Sequence, residues 1–308
     1  MLSVLPYRNY SSYLFETFGC RVHKITLDAG LTCPNRDGSK GTGGCVYCDG
    51  KGSGTGAHKE YLSITSQMGR GKEYLKRRFG AEKFIAYFQS FSNTYASIDH
   101  LASLYQEALS QTDVVGLAVG TRPDCISPEI LDLLAGWQSS HRVWVEYGLQ
   151  SFHPRTLDLI NRGHTIQDFI EAVEQTRRRN INICVHIILG LPGEGLEDVL
   201  LTAQELSKMD IQGLKIHSLY INRGTVLEQW LEQKLYQPLE QPQYADWVCR
   251  FLEYCPPHWV VQRLTGDPDR RQLVAPQWAL EKQKTLSLIR SRFLERGSGQ
   301  GAKWKEGK

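Results

Sequence analysis

The 308-residue chain has no apolar run long enough to cross a bilayer. Its densest apolar stretch, Ile183–Pro192, is half the ~20 residues a spanning helix needs, and His186 interrupts it. The opening Met1-Leu-Ser-Val-Leu-Pro-Tyr7 lacks the basic and apolar regions of a secretory signal. No charge dominates: 36 Lys+Arg face 33 Asp+Glu, a formal +3, so the chain as a whole demands no polyanionic partner. No Walker loop, dinucleotide fingerprint or nucleophile elbow is present, and no fixed-period repeat or low-complexity linker. Eight cysteines are too dilute for a disulfide-stapled secreted domain. These absences predict a cytoplasmic protein without membrane contact. With 41% hydrophobic and 22% charged residues the composition is that of a globular chain, neither disordered nor coiled-coil.

What is present is a regular alternation. Short β-branched and aromatic runs predict strands at Val22–Leu27, Phe84–Phe88, Val114–Val119, Val143–Leu149, Asn182–Leu189 and Leu214–Tyr220. Between them amphipathic stretches predict helices over Thr65–Phe79, Ile98–Ser110, Pro128–Trp137, Ile166–Arg179 and Leu196–Lys208. Ser127-Pro128-Glu129 and Thr165-x-x-Asp168 carry helix-start signals. Such alternation implies a parallel α/β sheet with crossover helices, either doubly wound or an incomplete barrel. Beyond Tyr220 the pattern changes to helices at Val226–Lys234 and Tyr244–Tyr254, a strand at Trp259–Leu264 and a long helix from Trp278. The Gly/Lys-rich end, residues 297–308, is expected to be flexible.

Polar or glycine-rich clusters follow the predicted strands, at the end where parallel α/β folds bind ligands. The most specific is Cys33-x11-Cys45-Val-Tyr-Cys48, set in a glycine-rich loop. Three thiolates suit a 4Fe–4S cluster with one open iron, or a zinc ion completed by His58 or Cys20. The zinc reading would make the chain a non-catalytic RNA-interaction module. Other clusters admit plain structural roles: Arg122-Pro-Asp124 as a turn with a local ion pair, Gly190-Leu-Pro-Gly193 as a strand-to-helix turn. Glu146, on a buried strand, needs a partner and so faces either a site or an internal ion pair.

Together, Cys45-Val-Tyr-Cys48, Gly120-Thr-Arg-Pro-Asp124, Val145-Glu-Tyr-Gly-Leu-Gln-Ser151, Asn161-Arg-Gly-His164, His186-Ile-Ile-Leu-Gly-Leu-Pro-Gly-Glu194 and Leu214-Lys-Ile-His217 resemble the radical SAM superfamily. Within it the closer resemblance is to short, acetyltransferase-free bacterial members of the group related to the catalytic subunit of Elongator. Arg263-Leu-Thr-Gly-Asp267 and Ala275-Pro-Gln-Trp278 also look like the short-member pattern. The superfamily's commonest spacing is C-x3-C-x2-C, whereas long first gaps characterise the Elongator-like group. The glycine-glycine-acid motif usual after the second strand is absent, and Ser90-Phe-Ser-Asn-Thr94 stands there.

The resemblance implies an α/β partial (β/α)6 parallel barrel, residues 18–222, with a C-terminal α+β extension, residues 223–308. It implies one [4Fe-4S] cluster on Cys33, Cys45 and Cys48, and S-adenosylmethionine (SAM) as cofactor. Cofactor contacts are expected from Tyr47, Ser90, Asn93, Arg122, Asp124, Gln150, Arg162, Gly190 and Gly193, with Glu146, Lys215 and His217 as catalytic candidates. It further implies reductive cleavage of SAM to a 5′-deoxyadenosyl radical, an electron donor such as flavodoxin or ferredoxin, and a tRNA substrate modified on the wobble uridine. A small molecule or peptide is the alternative substrate. A local excess of +4 over residues 290–308 fits an RNA partner.

Overall fold

The computed structural model describes residues 5–50, 52, 57 and 62–306; His58, residues 1–4 and residues 307–308 lie outside them. Strands β1 (Val22–Leu27), β2 (Lys83–Phe88), β3 (Val114–Thr121), β4 (Arg142–Gln150), β5 (Asn182–Leu189) and β6 (Gly213–Ser218) alternate with helices. Helix α1 (Tyr10–Phe18) precedes β1, and α2 (Ile64–Phe79), α3 (Ile98–Leu109), α4 (Pro128–Gly136), α5 (Pro154–Leu159), α6 (Ile166–Arg177) and α7 (Leu196–Ser207) fill the crossovers. There follow β7 (Ile221–Asn222), α8 (Val226–Glu232), α9 (Gln241–Tyr254), β8 (Val260–Arg263), β9 (Leu273–Ala275) and α10 (Lys282–Glu295). The helix starts are chemically specified. Thr165 and Asp168 form a reciprocal capping box, and the Ser127 side chain accepts from Ile130 N ahead of Pro128.

The main sheet is parallel throughout, in the order β1-β2-β3-β4-β5-β6-β8. This is the partial barrel with strands in sequence order, but with seven strands where six were expected. The seventh, β8, comes from the extension and pairs with β6, so the expected boundary near residue 222 runs through a shared sheet. Its physical cause is an edge problem. β6 would otherwise expose a row of unpaired backbone groups, and β8 covers it. The short pair β7–β9 is antiparallel.

Two apolar layers follow from the period-two alternation of each strand. Outward residues such as Phe84, Leu117, Val145, Val185 and Leu214 pack against the helices. Inward residues Ile85, Ala118, Trp144 and Cys184 form a smaller cluster at the amino-terminal end of the barrel. Helix α1, not foreseen from sequence, closes that end. Its Leu14 joins the cluster, and Tyr10 and Tyr13 meet the Trp144 ring edge-on at 6.5 and 5.9 Å. Gly213 is required there, because a Cβ would come within 2.9 Å of the Trp144 ring.

The two sheet edges are drawn together. Lys24 Nζ on β1 donates to Gln262 Oε1 on β8 at 2.6 Å, and Val261 N donates to Arg8 O at 2.8 Å. The Gly/Lys-rich end is anchored too, contrary to the mobility its composition suggested. Buried Glu253 accepts from Arg296 Nε at 2.8 Å and Ser298 Oγ at 2.8 Å and pairs with Lys303 at 2.6 Å, while Gln300 Nε2 donates to Pro256 O at 2.7 Å. A buried carboxylate recruits cations wherever the chain can supply them.

Candidate active site

The cysteine loop sits at the carboxyl end of the sheet and is held by backbone as much as by side chains. Val46 N donates to Ile160 O at 3.1 Å and Leu227 N donates to Val46 O at 3.0 Å, so the residue between Cys45 and Tyr47 is clamped from both sides. Val46 also packs with Leu157, Ile160, Leu191 and Leu227 in a second apolar cluster. Asn161 Nδ2 donates to Gly44 O at 2.8 Å, and Asn35 Nδ2 donates to Asn161 O at 2.5 Å. The Asn161-Arg-Gly-His164 stretch is therefore a bracket for the loop.

Cys33, Cys45 and Cys48 are free thiols lining one cavity of about 190 Å³. Cations stand against the sulfurs. Arg122 Nη1 lies 3.9 Å from Cys33 Sγ and Arg162 Nη1 lies 3.7 Å from Cys45 Sγ, with Asn35 Nδ2 3.8 Å from the same sulfur. Burial and the adjacent Cys45 push the Cys48 thiol up to about 11, so a metal would have to displace its proton. Burial opposes the charge on Arg162, but Cys45 and Tyr47 outweigh it and hold the guanidinium cationic. Three convergent thiols with two guanidiniums beside them fit an anionic, thiolate-bound iron–sulfur centre. Of the alternative fourth zinc ligands, Cys20 packs with the floor cluster at the opposite end of the barrel, and His58 lies outside the described residues.

The arginines are themselves oriented. Asp124 takes Arg122 in a two-point pair, Nε–Oδ1 at 2.8 Å and Nη2–Oδ2 at 2.9 Å, and also accepts from Lys40 at 2.6 Å. Arg162 donates to Gly148 O through Nη2 at 2.7 Å. A Cβ on Gly148 would lie 2.7 Å from Gln150 Nε2 and 2.9 Å from Arg162 Nη2, so a side chain there would displace both groups. Tyr47, Arg122, Gln150 and Arg162 line the cavity. Ser90 and Asn93 are fully buried behind it, and Gln89 and Phe91 line it in their place. Ser90 Oγ and Asn93 Oδ1 have no hydrogen-bond partner among the described residues. Asp124, Gly190 and Gly193 are also off the cavity wall. Gly190 O is taken by the Tyr236 hydroxyl at 2.7 Å, and a Cβ on Gly190 would meet Leu239 at 3.2 Å, so that turn is covered by the segment after α8.

Below the cysteine loop the same cavity reaches a charged layer inside the barrel. Glu146 on β4 is fully buried; Lys24 Nζ donates to its Oε1, and Lys215 Nζ donates to its Oε2. His186 Nε2 reaches the same Oε2 at 2.8 Å. Tyr87 lies among them, with Lys215 Nζ 4.1 Å and Lys24 Nζ 4.7 Å from its ring centre, and its hydroxyl accepts from Lys215 at 3.0 Å. Burial would raise the Glu146 pKa, but Lys215, Lys24 and His186 together hold the carboxyl well below its usual range. Two ammoniums sharing one carboxylate cannot both be fully compensated. Burial brings Lys215 down to about 7, and Lys24 adds to that against the pull of Glu146. His186 falls to about 4, through burial first and Lys215 second, and so is a neutral donor to Glu146.

The three catalytic candidates read from sequence, Glu146, Lys215 and His217, thus meet in one cavity. Sequence reasoning missed Lys24, Tyr87 and Arg263. His186 carried a signal, a lone polar residue breaking the densest apolar run.

A curled parallel sheet with three cysteines at its carboxyl mouth and a polar lumen beneath defines the partial-barrel enzymes that work with a thiolate-held iron–sulfur cluster. The chain belongs to the radical SAM superfamily: that family's model matches residues 37–206, and the Radical_SAM C-terminal domain matches residues 211–295. It is a radical SAM enzyme, and its cofactors are one [4Fe-4S] cluster and SAM. Family membership overturns the reading as a non-catalytic zinc module. The chain is 38% identical over 295 residues to the uncharacterized protein YtqA of Bacillus subtilis, covering 96% of this chain and 92% of that one. It is 27% identical over 161 residues to the tRNA uridine(34) acetyltransferase of Dehalococcoides mccartyi, covering 51% of this chain and 34% of that one. Among solved structures, the Methanocaldococcus infernus Elp3 superposes with a TM-score of 0.68 at 16% identity, over 91% of this chain and 64% of that one. No helix among the described residues is long and apolar enough to cross a membrane.

Proposed function

We propose that Cys33, Cys45 and Cys48 hold the cluster and that the enzyme modifies a substituent on the wobble uridine of tRNA. When bound, the reduced cluster and SAM supply the family's chemistry, reductive cleavage of SAM to methionine and a 5′-deoxyadenosyl radical. The chain's own contribution is position and exclusion of water. Arg122 and Arg162 offset the charge of the thiolates, with Asp124 and Gly148 O fixing their planes. Tyr47, Gln150, Gln89 and the Arg122–Arg162 pair line the space a SAM molecule would take; Ser90 and Asn93 support that wall from behind. The lumen, with Glu146, Lys215 and His217, receives the reacting end of the substrate. An electron donor of the flavodoxin or ferredoxin kind reaches the cluster in the cytoplasm.

The observation that carries the tRNA reading is the shared 161-residue stretch with a protein named as acting on tRNA uridine 34. Nucleoside mass spectrometry of tRNA from a deletion strain tests it. Loss of one modified uridine, with its precursor accumulating, is the expected result. An unchanged nucleoside profile overturns the tRNA substrate and turns the search to small molecules or peptides.

A further inference from the structure

The barrel lumen contains more positive charge than it uses. Glu146 is the only carboxylate in the layer among the described residues that line it, and both its oxygens are taken, Oε1 by Lys24 and Oε2 by Lys215 and His186. Nothing remains for Arg263, whose guanidinium lines the same cavity. Among the described residues its side chain has no hydrogen bond and no ion pair. Asp49, the other acid on the cavity wall, accepts from Asn222 Nδ2 at 3.1 Å and forms no ion pair with Arg263.

Arg263 is aimed into the lumen by a defect in the sheet. β6 and β8 pair Leu214 with Val261, but the next pair is Lys215 with Arg263, so Gln262 is an extra residue on β8. Strict alternation would turn only one of two consecutive residues inward. The irregularity turns both: Gln262 accepts from Lys24, and Arg263 comes level with Lys215. Beside them His217 has a buried Nε2 with no hydrogen-bond partner among the described residues, and its ring lies 5.4 Å from that of His186. A half-buried guanidinium with no ion pair among the described residues stands on one wall with a buried, unpartnered imidazole nitrogen, and the buried nitrogen is costly without a guest.

We propose that this part of the lumen binds an anionic oxygen group of the substrate, a carboxylate or a phosphate, with Arg263 as its principal partner and Lys215 and His217 beside it. The inference rests on reading the cavity as the substrate site, and it names the chemistry of what enters. The planar fork of Arg263 matches either oxyanion. Lys215, which burial brings to about 7, gains a second reason to hold its proton when an anion arrives.

The test is calorimetric titration of the full chain, reconstituted with its cluster and before SAM is added, using acetate, inorganic phosphate and neutral acetamide at one fixed ionic strength. Acetate or phosphate should bind saturably and acetamide should not. Tighter acetate identifies a carboxylate on the reacting group, and tighter phosphate identifies a nucleotide phosphate. Arg263→Gln should weaken the favoured anion by about tenfold, the loss of one charge-assisted contact, and Arg263→Lys should retain part of it. Circular dichroism of both variants distinguishes lost binding from lost fold. If neither anion binds better than acetamide, or if folded Arg263→Gln binds as the wild type does, the proposal is wrong. Iron content and reductive SAM cleavage in the same wild-type preparation separate the two readings. If they are intact while anion binding fails, the site stands and only the anion is excluded; if they are absent, the site assignment itself has failed.

Discussion

Glu146 and Lys215 lie on β4 and β6, with the whole of β5 between them, yet the Lys215 ammonium donates to the Glu146 carboxylate. Neighbouring strands are ~4.8 Å apart, so in a flat sheet these backbones would stand about 10 Å from each other with parallel side chains. Curling turns the inward side chains toward a common axis, and Lys24 reaches the same carboxylate from β1. The lumen charges therefore depend on the curvature, and the curvature is in turn held by them.

Glu146→Gln should cost about 3–5 kcal/mol, because it leaves the buried Lys215 and the half-buried Lys24 ammonium without their counter-charge. Lys215→Met alone should cost less, since Glu146 keeps Lys24 and His186. The Glu146→Gln/Lys215→Met double variant should be more stable than the sum of the two losses. Denaturant unfolding of all four chains measures the coupling; strict additivity would show that the pair is not energetically linked.

Alanine at Cys33, Cys45 or Cys48 should abolish the broad visible absorption of the cluster and SAM cleavage, while far-ultraviolet circular dichroism stays unchanged. Full iron content in Cys33→Ala would remove that residue from the ligand set.

Acid should destabilise the fold well above the carboxylate range. His164 is lowered to about 3, by burial first and then by Arg162 and Arg122, and His186 to about 4. Both start near 6.5 in the unfolded chain, so protons bind that state first. Their contribution is complete above pH 6.5 and is lost as the pH falls toward 4 and then 3. Melting temperature against pH for the cluster-free chain should decline from pH 6.5 to 4, and His186→Gln, which can still donate to Glu146, should flatten the decline. A flat wild-type curve over that window would contradict the buried neutral imidazoles.

Deleting residues 297–308 should lower the melting temperature. The deletion strips Ser298 and Lys303 from buried Glu253 and removes the Gln300 bonds to Pro256 and Trp259, leaving Arg296 as the remaining partner. Each lost hydrogen bond contributes about 0.5–1.5 kcal/mol. An unchanged melting temperature would mean that these contacts contribute nothing to the fold.

The seven strands of the main sheet were legible because parallel, two-sided burial makes them short β-branched runs, and their observed limits lie within two residues of the expected ones; the short antiparallel pair β7–β9 was not foreseen. The cysteine loop was legible from spacing. Helix α1 was not. At nine residues it is too short to be stable alone, and what holds it is Trp144, more than a hundred positions away. Arg263 was equally hidden, since its inward aim depends on an irregular register between β6 and β8 that no local pattern reveals. Glu146 could be flagged as a buried carboxylate, but its partners come from β1, β5 and β6. Ser90 and Asn93 follow from the resemblance alone, at the place of the absent glycine-glycine-acid motif; the backbone there turns Gln89 and Phe91 to the cavity, with Phe91 at φ +59°.

Helix α1 and the Lys24–Gln262 link seal the lower end and the seam of the barrel, and so they make the lumen a blind alley. Traffic in a blind alley has an order. On the proposed assignment, a group bound for the Arg263–Lys215 layer passes the cysteine loop before SAM takes its place there, and leaves once SAM's products have cleared. On that assignment the nine residues of α1, far from any reacting atom, set the order of arrival and departure by closing the other end.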